Sequence, residues 1–311
     1  MATYLVTGGA GFIGSNIAAE LTRRGHEVRV LDNLATGRRE NLCEIEDSVD
    51  FYEEDIRDLE AIRPAFEGAD VVLHQAALPS VPRSVKDPVA TTEANVNGTI
   101  NVLLAARDAG VRRVVAASSS SVYGSNPELP KRESMRPAPI SPYAASKLAG
   151  EGYAAAFNEV YDLETVCLRY FNVFGPHQDP SSQYAAVIPI FVSRMLEGKP
   201  PIVFGDGEQS RDFSYVANVI EANMCAAEAD GGAGQVFNIA CGENATLNEL
   251  ISHLNDILGT DLTPEYTDER PGDVKHSLAD ISAAREVLGY EPQVHFRDGL
   301  ALAVEWYAEN L

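Results

Sequence analysis

Tyr143 and Lys147 stand four residues apart in Tyr143-Ala144-Ala145-Ser146-Lys147. On a helix that spacing puts both side chains on one face, one turn apart. A phenol alone titrates near pH 10 and is a poor base at neutral pH. A neighbouring ammonium favours the phenolate and draws that value down. Together the two residues can take a proton from a sugar or alcohol hydroxyl near pH 7. Upstream lies the run Ser118-Ser119-Ser120-Ser121, which at the end of a central strand would set hydroxyls beside the pair. Read alone, the Tyr–Lys spacing also describes a surface helix with a half-buried tyrosine, so the elements around it must decide.

The chain opens on a short buried strand, Thr3–Thr7, and Gly8-Gly9-Ala10-Gly11-Phe12-Ile13-Gly14 follows. Gly8, Gly11 and Gly14 recur every three residues. One glycine suits a tight turn, one a backbone approaching a pyrophosphate, and one a close-packed helix. A helix over about Ile13–Arg24 would point its first amides at that pyrophosphate. A second strand, Glu27–Leu31, ends at Asp32, where an acid binds the adenosine ribose hydroxyls. A carboxylate there repels a 2′-phosphate and favours NAD over NADP, although Arg38 and Arg39 could reach such a phosphate. Asp55-Ile56, after a third strand near Asp50–Glu53, falls where an adenine would lie.

Val71–His74 reads as a fourth strand, with His74 packed rather than catalytic. Ala76 follows at the strand end, where small residues suit a cofactor, and the loop Leu78–Ser84 could face a substrate. A long helix over about Pro88–Ala109 leads to a fifth strand, Arg113–Ala117, which delivers the serines. Beyond the Tyr–Lys helix come a sixth strand, Glu164–Arg169, and a turn-rich connection, His177–Gln183. A helix over Ala185–Leu196 is expected to kink or break at Pro189. Val216–Ala229 reads as a helix, and Val236–Ile239 as a strand returning to the main sheet. Thr246-Leu247-Asn248-Glu249 is a capping box opening a helix to about Leu258. In the last helix, about Arg297–Asn310, Leu300, Ala303, Val304 and Tyr307 form a core stripe flanked by Trp306.

Composition bounds the function classes. The chain has 311 residues, 45% hydrophobic, enough for one large α/β domain and a smaller lobe. No apolar run approaches a membrane span, and no signal peptide is read at the N-terminus, so a cytoplasmic protein is expected. Cys43, Cys167, Cys225 and Cys241 are scattered, which argues against a disulfide framework or zinc site; no metal is expected. The formal net charge is −22, and such a field repels nucleic acid and anionic membranes. Lysine is confined to Lys86, Lys131, Lys147, Lys199 and Lys275. This balance suits either an acidic cytosolic protein or a halophilic one from a salt-rich cytoplasm; the latter loses structure at low ionic strength.

Taken together, Thr-Gly-Gly-Ala-Gly-Phe-Ile-Gly, Asp-Asn-Leu-Ala-Thr-Gly, Ser-Ser-Val-Tyr-Gly and Ser-Pro-Tyr-Ala-Ala-Ser-Lys resemble the extended short-chain dehydrogenase/reductase family over essentially the whole chain. Within it the chain is most similar to the UDP-sugar 4-epimerases. The resemblance implies a Rossmann-type doubly wound parallel sheet with a smaller C-terminal α/β lobe. The cofactor domain would cover residues 1–174 plus about 213–240, and the UDP-sugar lobe 175–212 and 241–311. It implies NAD held by Gly8, Gly11, Phe12, Ile13, Gly14, Asp32, Asn33, Asp55, Ile56, Ala76, Tyr143, Lys147 and Tyr170. Tyr143 would be the acid/base on the sugar 4-hydroxyl, Lys147 would hold the nicotinamide ribose and lower the tyrosine pKa, and Ser119 would orient the hydroxyl.

Ser80, Ser119, Tyr143, Asn172, Arg211, Arg270, Asp273 and Ser277 would face the UDP-sugar. Asn172, Arg211 and Arg270 would meet the diphosphate and Asp273 a uridine ribose hydroxyl. Relatives restricted to UDP-glucose and UDP-galactose carry a bulky Tyr at the position of Ser277, and a small residue there admits 2-acetamido sugars. The implied reaction is therefore 4-epimerisation of UDP-GlcNAc and UDP-GalNAc, with the non-acetylated pair as a second activity. The related 4,6-dehydratases place an Asp-Glu pair where Ser120 and Ser121 stand, which argues against dehydration. A uronate epimerase or decarboxylase, with Arg83 holding a carboxylate, stays open, as does a non-catalytic NAD sensor. Family members pair two helices into a homodimer, here about Pro88–Ala109 and Tyr143–Tyr161.

Overall fold

The computed structural model describes residues 1–180, 186–269 and 275–310. The first half alternates strand and helix: β1 (Thr3–Thr7), α1 (Phe12–Arg23), β2 (Glu27–Leu31), β3 (Val49–Tyr52), α2 (Leu59–Phe66), β4 (Val71–His74), α3 (Val81–Lys86), α4 (Pro88–Thr92), α5 (Gly98–Ala109), β5 (Arg113–Ser119), α6 (Pro142–Tyr161) and β6 (Glu164–Tyr170). The second half holds β7 (Val173–Phe174), α7 (Val187–Leu196), β8 (Ile202–Phe204), β9 (Ser210–Arg211), β10 (Ser214–Tyr215), α8 (Val216–Glu228), β11 (Gln235–Ile239), β12 (Ala245–Thr246), α9 (Leu247–Leu258), β13 (Glu265–Thr267) and α10 (Phe296–Asn310).

Seven strands form one sheet in the order β11-β6-β5-β4-β1-β2-β3, every neighbour parallel. The strands are apolar runs because both faces are covered. Alternate residues of β1 show this: Tyr4 and Val6 pack with Ile17 and Leu21 of α1 and Val219 of α8. Leu5 faces the other way, against Ile62 of α2 and Val102 of α5. A separate core holds α7, α9 and α10 together, with Phe191, Leu250, Leu300 and Tyr307 among its members. The stripe expected on the last helix is therefore core, with Leu300, Ala303, Val304 and Tyr307 all buried.

Local signals set the helix ends. The Ser141 hydroxyl accepts from the Ala144 amide with Pro142 in the first helical position, so α6 begins there. In α9 the Thr246 side chain and Glu249 satisfy each other's backbone amides, and Gly259 closes the helix in left-handed conformation.

Three expectations need correction. Pro189 does not kink α7: the helix begins at Val187, so the proline lies in its first turn, where amides lack intrahelical partners anyway. The expected start at Ala185 lies outside the described residues. The long helix before β5 is not uniform either, for α4 runs into α5 through a π-turn over Glu93–Asn97. The strand ending in the serines is longer than expected and takes in Ser118 and Ser119. All four cysteines are free. Among the described residues no helix is long and apolar enough to cross a membrane, and no cluster of His, Cys, Asp and Glu could hold a metal ion.

Candidate active site

The loop between β1 and α1 forms one side of the crevice. Gly8 has φ +68°, and a side chain there would run within 2.6 Å of the Ala76 amide nitrogen. At Gly14 a Cβ would lie 2.2 Å from the Gly8 carbonyl oxygen. Turn and close packing thus each require a residue without a side chain. The N-cap of α1 is Gly11, which lends no side chain to the amides of Phe12 and Ile13, and no acid stands in the first turn. A helix start of this kind accepts a diphosphate.

Asp32 is buried and accepts from the amides of Ala10 (3.0 Å) and Leu34 (2.8 Å). Burial raises its pKa above the usual carboxylate range, and the two amides oppose that. Asn33 donates to Asp55 over 2.7 Å, and Arg57 also pairs with Asp55, whose carboxyl is pulled down to about 2. Ile56 is buried beneath Gly98. Arg38 pairs with Asp179, and Arg39 pairs with Glu46 while lying over the Phe51 ring. Both arginines that could have met a 2′-phosphate thus face carboxylates. The loop, the uncapped helix start and the acid at the end of β2 fit a dinucleotide such as NAD.

The proton-handling groups meet where β5 ends. Ser119 is the last residue of β5, and its hydroxyl accepts from the Ser121 amide. Tyr143, in the first turn of α6, lies close enough to Ser119 for the serine hydroxyl to favour its phenolate. Lys147, one turn on, donates to the Ala117 carbonyl over 2.9 Å. Burial depresses the ammonium to about 8. Burial also raises the phenol above 10, and the Ser119 hydroxyl opposes this. The expectation that Lys147 by itself draws Tyr143 down is thus corrected, because desolvation outweighs it in the protein alone. A bound positive nicotinamide would act in the lowering direction. Ser120 and Ser121 continue in a tight turn, so no carboxylate follows Ser119.

Buried polar groups brace this corner. The ring of His74 lies between Thr7 (Nδ1, 2.7 Å) and Thr99 (Nε2, 2.9 Å). Thr99 donates its own hydrogen to the Asn95 carbonyl, so Nε2 carries the ring proton and Nδ1 accepts from Thr7. Burial pushes this imidazole down to about 3; it is a packed neutral histidine, as expected. Asn95, in the π-turn, exchanges hydrogen bonds with the backbone of Leu78 and donates to Ser146. Tyr170 is buried, its hydroxyl bonded to Gln75 and Asn223. Spacing along the chain gave no sign of Asn95, Gln75 or Asn223.

The expected substrate groups sit across β9 and the segment from Lys275 to Ser277. The Ser210 amide donates to the Lys275 carbonyl and the Ser277 amide to the Ser210 carbonyl, so Arg211 and Ser277 lie on adjoining chains. Arg211 Nη1 donates to the carbonyls of Ser210 and Lys275. Asn172 has φ +34°, and its amide donates to the Asp212 carbonyl. Asp212 itself is fully buried and accepts from the amides of Cys241, Gly242 and Ala279. Burial pushes that carboxyl up to about 7 against those donors. Its partners are too distant in sequence to foresee. The Ser80 hydroxyl caps α3 by accepting from the Arg83 amide. Arg270 and Asp273 lie outside the described residues.

Comparison with known proteins agrees with this geometry. Residues 4–240 match the NAD dependent epimerase/dehydratase family. A UDP-glucose 4-epimerase of Mycolicibacterium smegmatis is 42% identical over 97% of each chain. A solved UDP-N-acetylglucosamine 4-epimerase of Methanobrevibacter ruminantium, in complex with UDP-N-acetylmuramic acid, is 42% identical and superposes with a TM-score of 0.95 over 100% of this chain and 99% of that one. A UDP-glucose 4-epimerase of Thermotoga maritima, solved with UDP-glucose, gives 40% and 0.94 over 99% of each chain.

Proposed function

The chain belongs to the NAD dependent epimerase/dehydratase family, and on that premise we propose that it is a UDP-hexose 4-epimerase acting on UDP-GlcNAc and UDP-GalNAc, with UDP-glucose and UDP-galactose as a second pair. The observation that carries the reading is the Tyr143 phenol close to the Ser119 hydroxyl, with Lys147 one turn away and no carboxylate after the serine. When bound, NAD would supply reversible hydride chemistry at the sugar C4. Tyr143 takes the proton of the 4-hydroxyl and later gives it back. Ser119 orients that hydroxyl, and Lys147 adds positive charge beside the phenol. Gly8, Gly11, Phe12, Ile13, Gly14, Asp32 and Ala76 would hold the cofactor, with Asn33, Asp55 and Ile56 near its adenine and Tyr170 behind it. Arg211 and Asn172 would grip the diphosphate while the keto sugar turns to present its other face.

The preference for acetamido sugars rests on Ser277. It is half-buried, and its backbone is docked beside the segment of Arg211; by resemblance, a small side chain at this position would leave room for an acetamido group. The test is product analysis by NMR in molar KCl, with UDP-GlcNAc and UDP-glucose in separate tubes and no added NAD. Formation of UDP-GalNAc is expected. Conversion of UDP-glucose alone would keep the mechanism and reject the role of Ser277; conversion of neither, with NAD supplied, would overturn the reading. In Ser277→Tyr, turnover of the acetamido pair should fall by about tenfold or more relative to the non-acetylated pair.

A further inference from the structure

Beneath the catalytic pair lies an ion pair that the proton chemistry does not use. Glu151 and Arg169 have side chains only 6% and 4% exposed. Arg169 Nε donates to Glu151 Oε1 over 2.8 Å and Nη2 to Oε2 over 2.7 Å. The Ser118 hydroxyl donates to Oε1 as well, over 2.5 Å. The guanidinium lies over the Tyr123 ring, 4.8 Å from its centre, and the Tyr123 hydroxyl is anchored on Asn238. Two buried charges cost desolvation that their attraction scarcely repays, so such a pair is weak evidence of a stabilising role. Its position suggests a different one.

Glu151 is on α6, one turn past Lys147 and two past Tyr143, on the same face. Ser118 immediately precedes Ser119 on β5, and Arg169 immediately precedes Tyr170 on β6. The carboxylate thus ties the catalytic helix to the two strands whose ends carry crevice residues. After Cys167, its charge also acts on the Lys147 ammonium in the raising direction, and the other groups around that ammonium can be named. Tyr143 is on the same helix, Ala117 offers its carbonyl from β5, Cys167 stands on β6, and His74 on β4. Burial holds the His74 ring neutral, the Cys167 thiol protonated at about 12 and the Tyr143 phenol protonated. Among these groups Glu151 is the anion.

We propose that Glu151 is a positioning residue of the site: clamped by Arg169 and Ser118, its carboxylate fixes α6 against β5 and β6 and keeps the half-buried Lys147 ammonium charged. Burial works against that charge, so loss of the Glu151 charge should let the proton leave Lys147 at lower pH.

The chain's lysines, Lys86, Lys131, Lys147, Lys199 and Lys275, make the test direct. In protein labelled with isotopic lysine, the Lys147 resonance is identified by its absence from Lys147→Arg, and its titration is followed by NMR. In Glu151→Gln its midpoint should fall by about one pH unit, and the alkaline limb of UDP-sugar turnover should move with it. Should Glu151→Gln fail to fold because it strands the Arg169 guanidinium, the uncharged pair Glu151→Gln/Arg169→Gln carries the same test with a smaller downward shift, because the Arg169 charge it also removes opposes that of Glu151. An unmoved Lys147 titration, or a loss of turnover equal at every pH, would overturn the proposal and leave the pair a packing feature. The activity arm rests on the epimerase reading, but the titration does not. A shifted lysine in a protein that converts no UDP-sugar would therefore sink that reading and leave this inference standing.

Discussion

The two walls of the crevice are built in different ways. On the cofactor side, reactive groups stand on regular elements and are braced by side chain against side chain. Ser119 ends a strand, Tyr143 and Lys147 share a helix, and His74, Thr99, Asn95 and Ser146 form a buried chain of hydrogen bonds behind them. On the proposed substrate side, Arg211 and Ser277 lie on short segments joined mainly through backbone amides and carbonyls, with the Ser210 hydroxyl also bonded to His276 and Asn244. A deep anchor there is Asp212, which binds three amides from two segments. A site that must place a proton donor to a fraction of an ångström gains from rigid elements. A site that must accept one sugar or another can be rebuilt at a loop without disturbing the chemistry.

That contrast is testable from both sides. Tyr143→Phe removes the proton carrier and little volume, so turnover should fall by about 10²- to 10⁴-fold, with melting temperature unchanged. Parallel loss of retained NAD would mean that the phenol also holds the cofactor. Arg211→Ala should do the reverse. The loss of charged hydrogen bonds to a diphosphate, about 1.5–3 kcal/mol, raises KM by about tenfold to a hundredfold and leaves kcat within a few-fold. Steady-state kinetics with UDP-GlcNAc distinguishes the two patterns. A fall in kcat without a rise in KM would place Arg211 in the chemistry rather than in binding.

The same contrast explains what could be read from the chain. Gly8, Gly14, Asp32, Tyr143 and Lys147 declare themselves because each works through a short spacing: a turn, a strand end, one helical turn. The seven-stranded sheet follows from apolar runs separated by amphipathic helices. Glu151 carried a local signal too, standing four residues past Lys147, but its meaning depends on Arg169 across the strand and was not legible without the fold. Asp212 gave no sign at all, since Ala279 lies 67 residues away. Pro189 was misread because a proline says only that an amide is missing, and in a first turn none is needed. The Tyr143 phenol was expected low because its cationic neighbour is visible in sequence and its burial is not.

The smallest expected effect bears on how far the backbone alone holds the substrate wall. Thr246 has two duties. Its side chain caps α9 together with Glu249, and its backbone belongs to β12, which pairs antiparallel with β9 so that Ala245 faces Arg211 and Thr246 faces Ser210. Thr246→Ala removes the first duty and keeps the second. Loss of an N-cap costs about 1 kcal/mol, which in a chain of this length lowers the melting temperature by about 2 °C. KM for the UDP-sugar should stay as it was, because the pairing that carries Arg211 needs no side chain at position 246. A rise in KM at unchanged melting temperature would mean that the cap, and not the strand pairing, sets the position of Arg211, and the substrate wall would then be braced by side chains as the catalytic wall is.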